Sequence, residues 1–151
     1  MLPDAAGTLT PASALSDVQG VLAKLLATLD EQFAALVEDD AERLAHLVQE
    51  QEALSARLAQ VEQRRRGILP SGTLTRLSRG EADRVLEIGR AVQELRERSA
   101  RNMALFERKA RLASQTLQYL QAFVVEHARL YGAPRVPPTA PARSLLLDSS
   151  A

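Results

Sequence analysis

An all-α fold, built as a long antiparallel helical hairpin, is what this sequence predicts, and three observations carry the prediction. Residues 12–66 and 81–131 lack proline and hold one glycine each, Gly20 and Gly89, while the segment between them is punctuated by glycines and Pro70. Within both stretches apolar residues recur at alternating steps of three and four, the mark of helices that bury a narrow seam against a partner. The chain of 151 residues is rich in good helix formers, with 3% aromatics and no Trp, so a wide core is not expected.

Each element follows from local chemistry. Thr10 offers a side-chain oxygen to free amides, and Pro11 suits a first helical position where no amide is lost. The first arm, about residues 12–66, carries Leu15, Val18, Leu22, Leu25, Leu29, Phe33 and Leu36, then Leu44, Leu47, Leu54, Leu58 and Val61. Its one weak place is Glu38-Asp39-Asp40. Asp39 with Glu42 three residues on resembles a capping box, so two helices joined by a tight bend are conceivable there. Neither glycine nor proline enforces a break, and a continuous arm, or one kinked near residues 38–40, is the expectation. Arg64, Arg65 and Arg66 complement the negative helix end, and Gly67 suits a left-handed stop. A turn with a short helical piece at 73–78 should follow, and Ser78 with Glu81 forms a second capping box.

The second arm, about 81–131, runs through Val85, Ile88, Val92 and Leu95, then Phe106, Ala110, Ala113, Leu117, Leu120 and Val124, and stops at Tyr131-Gly132. The arms measure roughly 82 and 77 Å at the α-helical rise. Each skips phase once, near Asp40 and near Asn102, and the two skips face each other if residue i meets residue 147 − i. Residues 1–132 then make a single helical domain. The tail, 133–151, is Pro-rich and expected to be mobile, with Leu145, Leu146 and Leu147 its only apolar group.

Charge is balanced at 19 basic and 19 acidic residues but unevenly placed. Residues 1–56 hold 2 basic and 10 acidic side chains, and the remainder is net basic. Nucleic acid is one reading of a basic half. Acidic residues of one arm lying beside basic residues of the other is the better one, since Glu87, Glu94, Glu97 and Glu107 interrupt any arginine face. The chain lacks cysteine, so a disulfide or thiolate site is excluded. The N-terminus has no secretion signal pattern and no apolar run approaches a bilayer span, which leads us to expect a cytoplasmic protein without membrane insertion. Catalytic, cofactor-binding and metal-ligating constellations are not found: His46 and His127 are remote from each other and lack carboxylates at helical ligand spacing. An enzyme is not expected.

What remains to be explained is surface. Beside the second arm's seam runs another apolar line, Leu105, Leu112, Tyr119, Phe123 and Leu130, which one facing helix cannot cover, with Tyr131 at the helix end. Val21, Leu26 and Val37 flank the first arm's seam in the same way. An apolar stripe of this kind calls for a partner, and these six residues, Leu105 to Tyr131, are the candidate partner-binding set. Self-association as a homodimer and burial by the tail are the other ways to cover it.

The segment from Leu95-Arg-Glu-Arg-Ser-Ala-Arg-Asn-Met-Ala-Leu-Phe through Leu120 resembles the FlgN family, in which an Asn in a polar helical stretch precedes a Leu-rich heptad run. Leu36-Val-Glu-Asp-Asp-Ala-Glu-Arg-Leu, Gln49-Glu-Gln-Glu-Ala-Leu, Glu62-Gln-Arg-Arg-Arg and Gly67-Ile-Leu-Pro-Ser-Gly-Thr-Leu resemble its first half and connection, and Leu130-Tyr131-Gly132 its helix end. Ser99 stands where the family often has a first asparagine. The resemblance implies a cytosolic chaperone of flagellar type III export. It implies binding to amphipathic C-terminal helices of the hook–filament junction proteins (FlgK and FlgL), prevention of premature assembly, and delivery to export-gate components. It also places client binding toward the C-terminal part of the chain. A structural coiled-coil linker or oligomerisation rod is the alternative expectation.

Overall fold

The computed structural model describes residues 10–69 and 77–130, all of them helical or connecting, with no strand among them. The tail, Tyr131 and most of the helical piece expected at 73–78 lie outside the described residues. Three helices follow in order: α1 at Pro11–Glu38, α2 at Ala41–Ile68 and α3 at Arg79–Leu130. The chain forms two compact units, Met1–Arg108 and Lys109–Ala151. The first holds α1, α2 and the N-terminal part of α3; the described part of the second is the remainder of α3.

The helix starts are those the sequence implies. The Thr10 hydroxyl accepts from the Ser13 amide at 3.2 Å and the Ser13 hydroxyl accepts from the Thr10 amide at 3.1 Å, while Pro11 occupies the first turn. The Ser78 amide donates to Glu81 at 2.8 Å and the Glu81 amide to the Ser78 hydroxyl at 3.3 Å. Two of the orphan amides of α3 are thereby satisfied reciprocally. At the end of α2 the expectation needs correcting: Gly67 continues the helix, and Leu69 closes it with its amide on the Arg65 carbonyl at 2.7 Å.

The larger correction concerns the first arm. It is two helices, and the break at residues 39 and 40 is a reversal. Asp39 takes the left-handed conformation at φ 58°, ψ 30°, and the Asp40 amide returns to the Ala35 carbonyl at 3.0 Å. The Asp40 carboxylate then accepts from the Arg43 amide at 3.0 Å, starting α2. Aspartate is one of the few side chains that visit this backbone region readily, so two adjacent aspartates stop one helix and cap the next without glycine. The Gln32 amide group bridges to the Leu47 carbonyl at 3.3 Å and to Gln51 at 2.7 Å, which fixes α1 and α2 as an antiparallel pair.

Contacts between α1 and α3 advance together along both helices. Arg84 donates to the Ala12 carbonyl at 2.9 Å, Gln19 to Glu87 at 2.7 Å, Arg98 to Asp30 at 2.6 Å and Asn102 to the Leu29 carbonyl at 2.7 Å. The two helices therefore run in the same direction, and α2 runs against both. The expected facing of i with 147 − i fails here: it pairs Asp30 with residue 117, whereas Asp30 binds Arg98 and Arg101. The charge argument survives, because an acidic residue of α1 is held by basic residues of α3.

The core of the first unit sits where all three helices meet. Val18, Val21, Leu22, Leu25 and Val61 are buried together, with Leu54, Leu58, Ile88, Ala91, Val92 and Leu95 packed against them. Val21, read from sequence as part of an exposed flank, is core, because α2 now lies over α1. Each fully covered Leu or Val contributes on the order of 1.5–3 kcal/mol.

Candidate protein-interaction surface

Along α3 the exposure of apolar side chains changes with position. Val85, Ile88, Val92 and Leu95 are half-buried. From residue 109 onward, the described residues of the second unit are exposed except for Lys109 and Ala128. Leu112, Leu117, Leu120, Phe123, Val124 and Val125 are each more than half exposed, Leu130 is 73% exposed and Tyr119 77%.

Of the six residues in the candidate set, Leu112, Tyr119, Phe123 and Leu130 thus stand together on one open helix face of the second unit. Leu105 is half-buried in the first unit, and Tyr131 lies outside the described residues. The seam residues Phe106, Ala110, Ala113, Leu117, Leu120 and Val124, expected to be covered by the first arm, are exposed as well. The first arm is two helices of 28 residues joined by a reversal at Asp39 and Asp40, so the long hairpin that this expectation assumed is not formed.

At about 100° per residue, Leu112, Tyr119, Phe123 and Leu130 form one line and Leu117, Leu120 and Val124 a second line beside it. Between residues 112 and 125 there is no charged side chain on any face, and the polar positions are Ser114, Gln115, Thr116, Gln118 and Gln121. A solvent-facing helix ordinarily carries charge on its outer face. This one has an apolar face and a rim of amides and hydroxyls. The Phe123 ring stacks on His127 with centroids 4.7 Å apart, and the Thr116 hydroxyl bonds back to the Leu112 carbonyl at 3.0 Å. Such a surface can bind apolar segments; nothing in it suits bond-making chemistry.

The first unit has a second apolar feature, which sequence reading missed. Adjoining open clefts of about 480 and 270 Å³ share Leu29, Gln51, Ser99 and Met103. Buried leucines of α1 lie at their base, and the exposed side chains Val48, Met103 and Phe106 stand at their edges. A polar cluster adjoins them: Asn102 and Gln32 are buried with their amides bonded, and the Arg101 guanidinium lies 4.1 Å over the Phe33 ring. The 3-4-4 phase skip through Asn102 was the signal for this cluster, since a polar residue in a seam position needs a partner.

Elsewhere the described residues hold no group of His, Asp or Glu placed to bind a metal and no helix long and apolar enough to cross a membrane. His46 and His127 are both exposed. At the end of α2, hydrogen bonds from Arg65 hold the Glu62 carboxyl below its usual range, partial burial opposing them and the charges of Arg65 and Arg66 adding to them. Glu62 in turn raises the Arg65 guanidinium. This is a helix-terminal ion pair, in keeping with the dipole.

A family model described as FlgN protein matches residues 10–135, which spans all three helices. No curated protein matches the chain, and no solved structure does.

Proposed function

The chain belongs to the FlgN family, non-enzymatic flagellar export chaperones for hook-associated proteins, and from that premise we propose that the exposed face of residues 112–130 is where it holds its clients. The clients are the hook–filament junction proteins (FlgK, FlgL), bound through amphipathic helical segments near their C-termini. The observation that carries this reading is the open apolar face of α3 in the second unit, with Phe123 and Tyr119 at its middle.

Binding is passive. A client helix that would otherwise self-assemble lays its apolar side on Leu112, Tyr119, Phe123 and Leu130, and burial at roughly 25 cal/mol per Å² drives association. Ordering the client opposes it, leaving an affinity from which the client is released at the export gate in the cytoplasm. Tyr and Phe offer large contact area with few rotors to freeze, so Phe123→Ala should weaken binding by about 1–3 kcal/mol.

Titration of a junction-protein C-terminal peptide against wild type, Phe123→Ala and a chain ending at Gly132 tests this. Circular dichroism checks the helix in each. If Phe123→Ala keeps its helix and binds as wild type does, the face is not the client site. Tighter binding by the shortened chain would show that residues 133–151 compete for it.

A further inference from the structure

The exposed face of 112–130 is too wide for one helix. An α-helix that packs against a single partner presents one a/d seam. Here two seams lie side by side. Leu112, Tyr119, Phe123 and Leu130 form the first; Ala113, Leu117, Leu120 and Val124 form the second, centred about 120° away around the helix axis. Together they expose seven large apolar side chains, each more than half open to solvent. That is more contiguous apolar surface than a helix in a monomer ordinarily leaves uncovered.

The polar residues agree. A helix covered along one line keeps charge on the rest of its circumference, yet residues 112–125 carry none. As far as residue 125, Ser114, Gln115, Gln118 and Gln121 flank the two seams with uncharged hydrogen-bonding groups, and Glu126 and Arg129 follow only in the last turn and a half, which suits a largely neutral partner that wraps more than half of the helix. A second copy of this chain, pairing its own 112–130 segment isologously, would cover one seam of each copy and leave the other exposed.

We propose that one client supplies two helices to this segment, one on each seam, so that residues 112–130 become the inner strand of a small helical bundle. This rests on the client-site reading above and specifies the partner: two amphipathic helical segments, both from the client, with rims that are uncharged where they lie against residues 112–125.

Site-specific photocrosslinking in the complex of the full chain with an intact, purified junction protein tests it. A benzophenone amino acid replaces Leu117 or Leu120 in the second seam, and Tyr119 or Phe123 in the first, and the adducts are mapped by mass spectrometry. The expected result is two different client segments, separate in the client's sequence, one for each seam. Crosslinks from both seams to one segment overturn the proposal. So do crosslinks from either seam to a second copy of the chain or to its own residues 131–151. If a complex forms and neither seam reaches the client, the client-site reading itself fails, which separates the two failures. In parallel, Leu117→Ser with Leu120→Ser, and Tyr119→Ser with Phe123→Ser, should each lower affinity at least tenfold while helix content is kept. An unchanged affinity for one of the two pairs would show a single-helix partner.

Discussion

Asn102 shows how one side chain sets the relation between two helices. It is buried, and its amide reaches the Leu29 carbonyl of α1 at 2.7 Å. A buried amide in a helix seam favours the single register that satisfies it, as polar seam residues do in coiled coils. Asn102→Ala should cost about 1–2 kcal/mol, from the lost hydrogen bond and packing, and urea melts would register it. Glu62 carries a pH signature. Its carboxyl is held below the usual range by Arg65, so the folded value lies under the unfolded one near about 4.3. The pair's contribution is full above the unfolded value and disappears as pH falls through the folded value. Melts of Glu62→Gln and wild type should therefore differ slightly at pH 7, by tenths of a kcal/mol for a pair this exposed, and converge in acid. A gap that widens in acid would contradict the assignment.

At the scale of elements, the α1–α2 turn decides the architecture. Asp39 holds a positive φ where β-branched side chains are strained. Asp39→Gly should leave stability within about 0.5 kcal/mol, whereas Asp39→Val should cost about 1–2 kcal/mol. Equal effects of the two in denaturant unfolding would mean that the turn conformation is not what matters. The starts of α1 and α3 were legible in the sequence because a cap is local: Thr10 with Ser13 and Ser78 with Glu81 need only their own neighbours. The reversal was legible as a place but not as an event. Glu38-Asp39-Asp40 marked the weak point, yet the same aspartates are compatible with a kinked helix, and only the packing of α1 on α2 selects the turn.

At the scale of the whole molecule, stability and recognition rest on different residues. Leu22 is 1% exposed and Leu112 53%. Leu22→Asp buries an unpaired carboxylate and should cost several kcal/mol. Leu112→Asp should change the melting free energy by no more than about 0.5 kcal/mol. Similar losses in thermal melts of the two variants would make the outer face part of the core.

Helicity, the starts of α1 and α3, the seam residues of α1 and the surplus apolar line on the second arm were determined by the sequence itself. Each depends on spacing along one helix, or on residue types that are present or absent. Which helix covers which seam was decided by tertiary structure alone. The three-and-four pattern says that a seam is buried without naming its partner, and Leu15 to Leu36 satisfy that pattern equally well against α3 in a hairpin or among α2 and α3 in a bundle. The choice fell to long-range terms: Asn102 on Leu29, Arg98 and Arg101 on Asp30, and Val61 among Val18, Val21 and Leu22. Within the second unit Leu117, Leu120 and Val124 are as exposed as Leu112 and Phe123, so the stripe read from sequence is a two-seamed face.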